Sequence, residues 1–200
     1  TLTNAGAIYT QTSGNVRTTG TSIVLEVDDI ALSGGTLNAG NGNISIYPHD
    51  DGRSINFGGT GGLNLTQTEI SSITTSGTLQ IGRSALTAPI TVSDEINITS
   101  ASGPVILLTG STASSSINIG EDFGLSGDLR LDAPNGRVSG AGVLSSSDTQ
   151  TLSVIAGNGI NLSGANTIQN VSLSNTGSGS IGYNSSVGSG NALNISARND

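Results

Sequence analysis

Aliphatic and polar residues alternate in short bursts along this chain, and most bursts open on glycine or asparagine. They read Gly42-Asn43-Ile44-Ser45-Ile46, Gly62-Leu63-Asn64-Leu65, Gly77-Thr78-Leu79-Gln80-Ile81, Glu95-Ile96-Asn97-Ile98, Ser116-Ile117-Asn118-Ile119, Gly127-Asp128-Leu129-Arg130-Leu131, Gly159-Ile160-Asn161-Leu162 and Ala192-Leu193-Asn194-Ile195. Alternation of period two turns the aliphatics to one face of a strand and the polar residues to the other. Recurrence at a near-constant spacing marks a solenoid, whose units bury their apolar faces only by stacking on one another. Counted on the first aliphatic of each burst, Ile23, Ile44, Leu63, Leu79, Ile96 and Ile117 are 21, 19, 16, 17 and 21 residues apart. Leu129, Ile160, Val171 and Leu193 then follow at 12, 31, 11 and 22. The short steps predict a second strand within a coil, and the long one a loop inserted near Ser145-Ser146-Ser147-Asp148. One β-helical unit is therefore expected over 1–200, with regular coils over 23–119 and irregular ones over 120–200.

Strands such as Ile55-Asn56-Phe57, Ile90-Thr91-Val92 and Leu152-Ser153-Val154 fall between the bursts, so each coil is expected to hold two or three. Gly34-Gly35, Gly40-Asn41-Gly42, Asp51-Gly52, Gly58-Gly59-Thr60-Gly61-Gly62, Asn135-Gly136 and Gly157-Asn158-Gly159 read as corners where positive φ is tolerated. The competing reading of the Asn-Gly and Asp-Gly pairs is a set of hairpins in an antiparallel sandwich or barrel. At about 20 residues per coil the chain makes roughly ten coils, a rod of ~50 Å at ~4.8 Å per stacked strand. One short helical turn is predicted near 66–73, where Thr66-Gln67-Thr68-Glu69 forms a capping-box pattern ahead of Ile70 and Ile73.

Composition narrows the choice. Of the 200 residues 34% are hydrophobic, 2% aromatic and 10% charged, with 30 glycines and no Cys, Met or Trp. A wide core normally draws on aromatics, so this one is expected to be narrow and lined by Ile, Leu and Val. Disorder usually couples low hydrophobicity to high charge, and this chain lacks the charge. The net charge of -8 leaves no basic stripe for nucleic acid or for an anionic membrane surface. No run approaches the ~18 apolar residues of a spanning helix. The start at Thr1-Leu2-Thr3 and the repetitive ends suggest a piece of something longer.

Two stretches resemble a known family. Gly62-Leu63-Asn64-Leu65-Thr66-Gln67-Thr68-Glu69-Ile70, continuing through Ile73-Thr74 to Gly77-Thr78-Leu79-Gln80-Ile81-Gly82, is similar to repeats of filamentous-haemagglutinin-like exoproteins. Gly159-Ile160-Asn161-Leu162-Ser163-Gly164-Ala165-Asn166-Thr167-Ile168, with Val171 to Gly179, resembles a second segment of the same proteins. The resemblance implies an all-β, right-handed parallel β-helix from a large two-partner-secretion adhesin of Gram-negative bacteria. Such a protein is secreted or exposed on the cell surface through an outer-membrane partner, and acts in adhesion, biofilm matrix or contact-dependent competition.

The residues offer little obvious chemistry. Adjacent acids at Asp28-Asp29, Asp50-Asp51, Asp94-Glu95 and Glu121-Asp122 raise the question of carbohydrate cleavage by paired carboxylates. Neighbours on a strand face opposite ways, so a catalytic pair would have to come from stacked coils or a loop. The densest polar run, Pro48-His49-Asp50-Asp51-Gly52-Arg53, supplies too few oxygen ligands for a hard cation on its own. No catalytic residue, cofactor or metal ligand is assigned. Asn-x-Ser/Thr triplets make Asn43, Asn64, Asn97, Asn161, Asn170, Asn184 and Asn194 formal glycan acceptors, although an Asn- and Ser-rich strand produces such triplets unaided. The leading expectation is a structural shaft segment whose partner is a surface glycan or protein, or another copy of itself. The alternatives are a carbohydrate-binding or carbohydrate-active β-helix, marked by acids converging in a cleft, and a self-associating lateral binding module, marked by Tyr9, Tyr47 or Tyr183 exposed on one face.

Overall fold

A computed structural model describes residues 2–3, 6–146, 149–185 and 192–197, with only the backbone of Leu2 and Thr3. The chain winds as a parallel β-helix. Its first face is a nine-stranded sheet: β1 (Leu2–Thr3), β4 (Ile23–Glu26), β7 (Ile44–Tyr47), β11 (Leu79–Gly82), β14 (Val105–Leu108), β17 (Leu129–Ala133), β20 (Thr151–Ala156), β22 (Asn170–Asn175) and β24 (Leu193–Ala197). The second face is a seven-stranded sheet of β9 (Leu63–Leu65), β8 (Ile55–Phe57), β12 (Ile90–Val92), β15 (Ile117–Ile119), β18 (Val138–Gly140), β21 (Ile160–Asn166) and β23 (Ile181–Ser185). Beside β9 this face is continued by the pair β2 (Ile8–Gln11) and β5 (Asp29–Leu32). The third face holds β3 (Gly14–Arg17), β6 (Gly35–Asn38) and β10 (Ile73–Thr74), then β13 (Ile96–Ile98), β16 (Phe123–Leu125) and β19 (Leu144–Ser146).

Every strand pairing among the described residues is parallel, which removes the hairpin alternative. Register follows from the alternation: a slip of one residue would turn every aliphatic outward. Ile23, Ile44, Leu79, Val105, Leu129, Leu152, Val171 and Leu193 thus form one continuous row. The second face stacks Leu63, Ile55, Ile90, Ile117, Val138, Ile160 and Ile181 in the same way. Both rows line one column of buried Ile, Leu and Val as far as β22 and β21. At the last rung Ile181 is half-buried, and Leu193 and Ile195, expected to face inward, are 53% and 56% exposed because no further described coil covers them.

The true coil lengths along the first face are 21, 35, 26, 24, 23, 19 and 22 residues between the named row members. The molecule therefore makes about eight turns where burst spacing predicts ten. That shortens the rod to ~40 Å at ~4.8 Å per strand. The discrepancy has a simple origin, because the same phrase is used on all three faces. Leu63 and Ile117 lie on the second face and Ile96 on the third, so the spacing mixes steps between coils with steps between faces.

The longest coil lies in the first half, between Ile44 and Leu79, and it carries an extra strand. Strand β9 pairs parallel to its immediate predecessor β8, with Ile55 opposite Leu63 and Phe57 opposite Leu65. Parallel neighbours normally need a connection of a dozen or more residues. Here residues 58–62 suffice, because Gly58, Gly59, Gly61 and Gly62 take φ of 70, 83, 81 and 74°, open to glycine and strained for other residues. The predicted helical turn follows at once as α1 (Gln67–Ser71). Thr66 caps it reciprocally with Glu69, and Ile70 and Ile73 are fully buried. Where an inserted loop is expected, Ser145 and Ser146 instead belong to β19, paired with Gly124 and Leu125; Ser147 and Asp148 lie outside the described residues.

The two phenylalanines of the chain also belong to the core. Phe57 and Phe123 are fully buried and meet edge to face, ring centres 5.5 Å apart at 75°. They come from different faces in different coils, so no local pattern pairs them.

Candidate functional site

In-register stacking brings the C-terminal ends of β4, β7 and β11 over one another, and with them five side chains far apart in sequence. Glu26 pairs with Tyr47 across the ladder. Arg83, just beyond β11, reaches back across both coils. Its Nε donates to Asp51 Oδ1 (2.7 Å), its Nη1 to Glu26 Oε1 (3.0 Å) and its Nη2 to the His49 carbonyl oxygen (2.9 Å). The guanidinium carbon stands 4.8 Å from the centre of the Tyr47 ring. His49 Nδ1 lies 3.3 Å from the same Glu26 oxygen that Arg83 holds. The Arg83 and Glu26 side chains are only 23% and 19% exposed. Burial acts to lower the Arg83 pKa, but hydrogen bonds and charge from Asp51 and Glu26 outweigh it and hold the group above its ordinary value.

The cluster thus clamps three consecutive coils, the long one between Ile44 and Leu79 among them. A planar guanidinium with forked donors can serve two carboxylates, a carbonyl and an aromatic ring at once; an ammonium cannot. Arg83→Ala is expected to cost about 1–2 kcal/mol, most of it at low salt, with Arg83→Lys recovering only part. Urea denaturation at two ionic strengths checks this. The polar run at residues 48–53 is legible in sequence, whereas Glu26 and Arg83 become its partners only through register. Arg53 works elsewhere: its Nε donates to the Asp28 carbonyl (2.7 Å) and its Nη2 to the Gly62 carbonyl (3.1 Å), pinning the glycine loop to the coil below.

The acidic pairs separate into two kinds. Asp28 Oδ2 accepts from the Gly6 amide and Asp29 Oδ1 from the Asn64 amide, both across coils, while Asp29 Oδ1 also accepts from the Ile30 amide and Asp50 Oδ1 from the Gly52 amide, both local. Asp94-Glu95 and Glu121-Asp122 are different. The pairings Val92 with Ile119 and Ile96 with Phe123 set these two turns on successive coils, so four carboxylates share one corner. All four residues are exposed. Glu95 Oε1 accepts from Asn97 Nδ2 (3.1 Å), and Asp122 Oδ1 from the Val143 amide (2.9 Å). Backbone register alone aligns the two acidic turns, and it does so on the exposed surface. Among the described residues no three of His, Asp or Glu are grouped so as to hold a metal ion.

The formal glycan acceptors scatter over all three faces. Asn43, Asn97, Asn161, Asn184 and Asn194 are exposed, and Asn64 and Asn170 are half-buried. Several are already engaged: Asn43 Oδ1 accepts from the Thr78 amide, and Asn184 Nδ2 donates to the Ser163 carbonyl. Ser186, which completes the Asn184 triplet, lies outside the described residues. The asparagines that do most for the fold belong to no triplet. Asn166 is fully buried and joins the Leu144 amide to the Asn184 carbonyl. Asn175, 1% exposed, accepts from the Gly159 amide and donates to the Gly177, Ser178 and Gly179 carbonyls.

The three tyrosines do not share an exposed face. Tyr47 points outward from the first sheet, whereas Tyr9 and Tyr183 are half-buried against the core near its two ends. The Tyr183 hydroxyl is buried without a hydrogen-bond partner, and burial pushes its ionisation up from 10.0 to about 12. Because the folded pKa exceeds the unfolded one, ionisation of this group leaves stability untouched below pH 10 and lowers it between pH 10 and 12, where the unfolded chain loses the proton first. Tyr183→Phe is therefore expected to leave stability near neutral pH unchanged or slightly raised, and to remove that part of the alkaline loss. Thermal melts at pH 7, 10 and 11.5 test it.

Comparison with protein-family models, curated proteins and solved structures yields no match to this chain, so the filamentous-haemagglutinin resemblance rests on residues 62–82 and 159–179 alone.

Proposed function

We propose that this chain is a structural shaft segment of a secreted or surface-exposed bacterial adhesin or matrix fibre. The observation that carries the reading is the nine-stranded ladder, which runs the length of the stack over a continuous aliphatic column. A rod whose coils are joined by parallel backbone hydrogen bonds resists bending and presents a mostly uncharged Ser, Thr, Asn and Gly exterior. Its work is spacing. In the full-length protein an outer-membrane partner would export it, and a surface glycan or protein would be met elsewhere along the fibre.

The second reading, a lateral binding module for glycan or self, draws on the Glu26, Tyr47, His49, Asp51 and Arg83 cluster, where the first face is charged and aromatic. One experiment separates the two. The 200-residue chain, immobilised on beads, is offered bacterial cells, epithelial cells and a panel of neutral and acidic oligosaccharides, beside a Tyr47→Ala variant. The shaft reading expects no saturable binding by either protein. Saturable binding that Tyr47→Ala abolishes would sink it in favour of the lateral site.

A further inference from the structure

The chain contains three Asn-Gly pairs, at Asn41-Gly42, Asn135-Gly136 and Asn158-Gly159. This dipeptide is the most prone to spontaneous deamidation, because glycine places no side chain in the way of its own nitrogen. The glycine nitrogen attacks the asparagine Cγ, the Cγ–Nδ2 bond breaks, and ammonia departs with the proton from the glycine N–H. Solvent water then opens the succinimide to aspartate or isoaspartate.

In the folded chain each attacking nitrogen is tied to another acceptor. The Gly42 amide donates to the Ala39 carbonyl (2.9 Å) and the Gly136 amide to the Ala133 carbonyl (3.0 Å). The third amide differs in kind. Gly159 donates to a side chain, the buried Asn175 Oδ1 (3.0 Å), itself held by three carbonyls of the 177–179 turn. The Asn158 leaving amide is held too, its Nδ2 donating to the Asn135 carbonyl (3.0 Å).

We infer that Asn41, Asn135 and Asn158 are latent deamidation sites silenced by the stack, and that Asn175 is the dedicated guard of Asn158. Modification at Asn158 then reports opening of the Asn175 turn, while the other two sites report opening of their own corners. An isoaspartate would add a methylene to the backbone of a coil whose neighbours are in register, so each event lengthens one rung of the ladder.

The test is peptide mapping by mass spectrometry during incubation at mildly alkaline pH, on the native chain, the chain in denaturant and an Asn175→Ala variant. All three sites are expected to react far more slowly in the native chain than in denaturant. In Asn175→Ala, Asn158 is expected to accelerate about tenfold, the worth of one lost hydrogen bond to the turn, while Asn41 keeps its native rate. Asn41, in a separate corner, is the internal control for folding, because the 157–159 turn bonds directly to Asn135 and Gly136. Equal acceleration at all three, or none at Asn158, would overturn the guard role. Native rates equal to those in denaturant would overturn the silencing. Hydrogen exchange of the Gly159 amide in the unmutated chain gives an independent reading, expected slow and overturned if it exchanges like an open loop.

Discussion

Ile119→Asp is expected to unfold the chain at physiological temperature, with a loss of about 5 kcal/mol or more. Ile119 ends β15, is fully buried, and belongs to the aliphatic column. An isolated charge there would either be carried unpaired in a medium of low polarity or drag the strand out to water. Coils hold only their neighbours, so losing one rung divides the stack into two pieces that each expose a fresh apolar end. Asn118→Asp is the matching control. It lies one residue away and exposed, and should change stability by less than about 0.5 kcal/mol. Urea denaturation followed by circular dichroism measures both. If the two variants melt within about 1 kcal/mol of each other, the assignment of inner and outer faces is wrong.

Gly103→Val is expected to be nearly as damaging, at about 4 kcal/mol, although it adds apolar surface to a β-rich protein. Gly42, Gly77, Gly103 and Gly127 each stand two residues before a strand of the first sheet, stacked on consecutive coils. A Cβ on Gly77 would lie 2.6 Å from the Gly42 carbonyl oxygen; one on Gly103 would overlap the Gly77 carbonyl, and one on Gly127 that of Gly103. The obstructing atoms are backbone and cannot rotate away. None of the four glycines has positive φ, so the requirement is close approach of coils and has nothing to do with turn conformation. Ser102→Val, one position before Gly103 on the exposed side, is the control and should retain a native melt. A Gly103→Val protein with the parental midpoint would show that the coils are not packed as described.

Those glycines show how far the sequence reaches. Every burst that opens on glycine marks a corner correctly, and period-two alternation correctly assigns Ile44, Leu79, Ile117 and Leu129 to the interior. The capping box at Thr66 was legible because all its partners lie within four residues. Reading the glycines as positive-φ turns holds at Gly40, Gly58, Gly59, Gly61, Gly62 and Gly159, and fails at Gly34, Gly35, Gly42, Gly52, Gly136 and Gly157. At Gly42, Gly136 and Gly157 a Cβ would meet backbone of the coil below, a neighbour that sequence does not display.

The count of turns went wrong for a related reason. A burst states which side of a strand is apolar and is silent on which of three faces the strand joins, so Leu63, Ile96 and Ile117 counted as coil starts when they were not. Local alternation determined the parallel β-helix, the inner and outer faces and the helical turn, because each depends on residues close along the chain. Register between coils decided the rest: eight turns instead of ten, the extra strand β9, the meeting of Phe57 with Phe123, the Arg83 clamp and the buried Asn175. Apart from β9, which pairs only eight positions back, each of these joins residues 16 or more positions apart, up to the 66 between Phe57 and Phe123. Only the stack itself brings such residues within a hydrogen bond of one another.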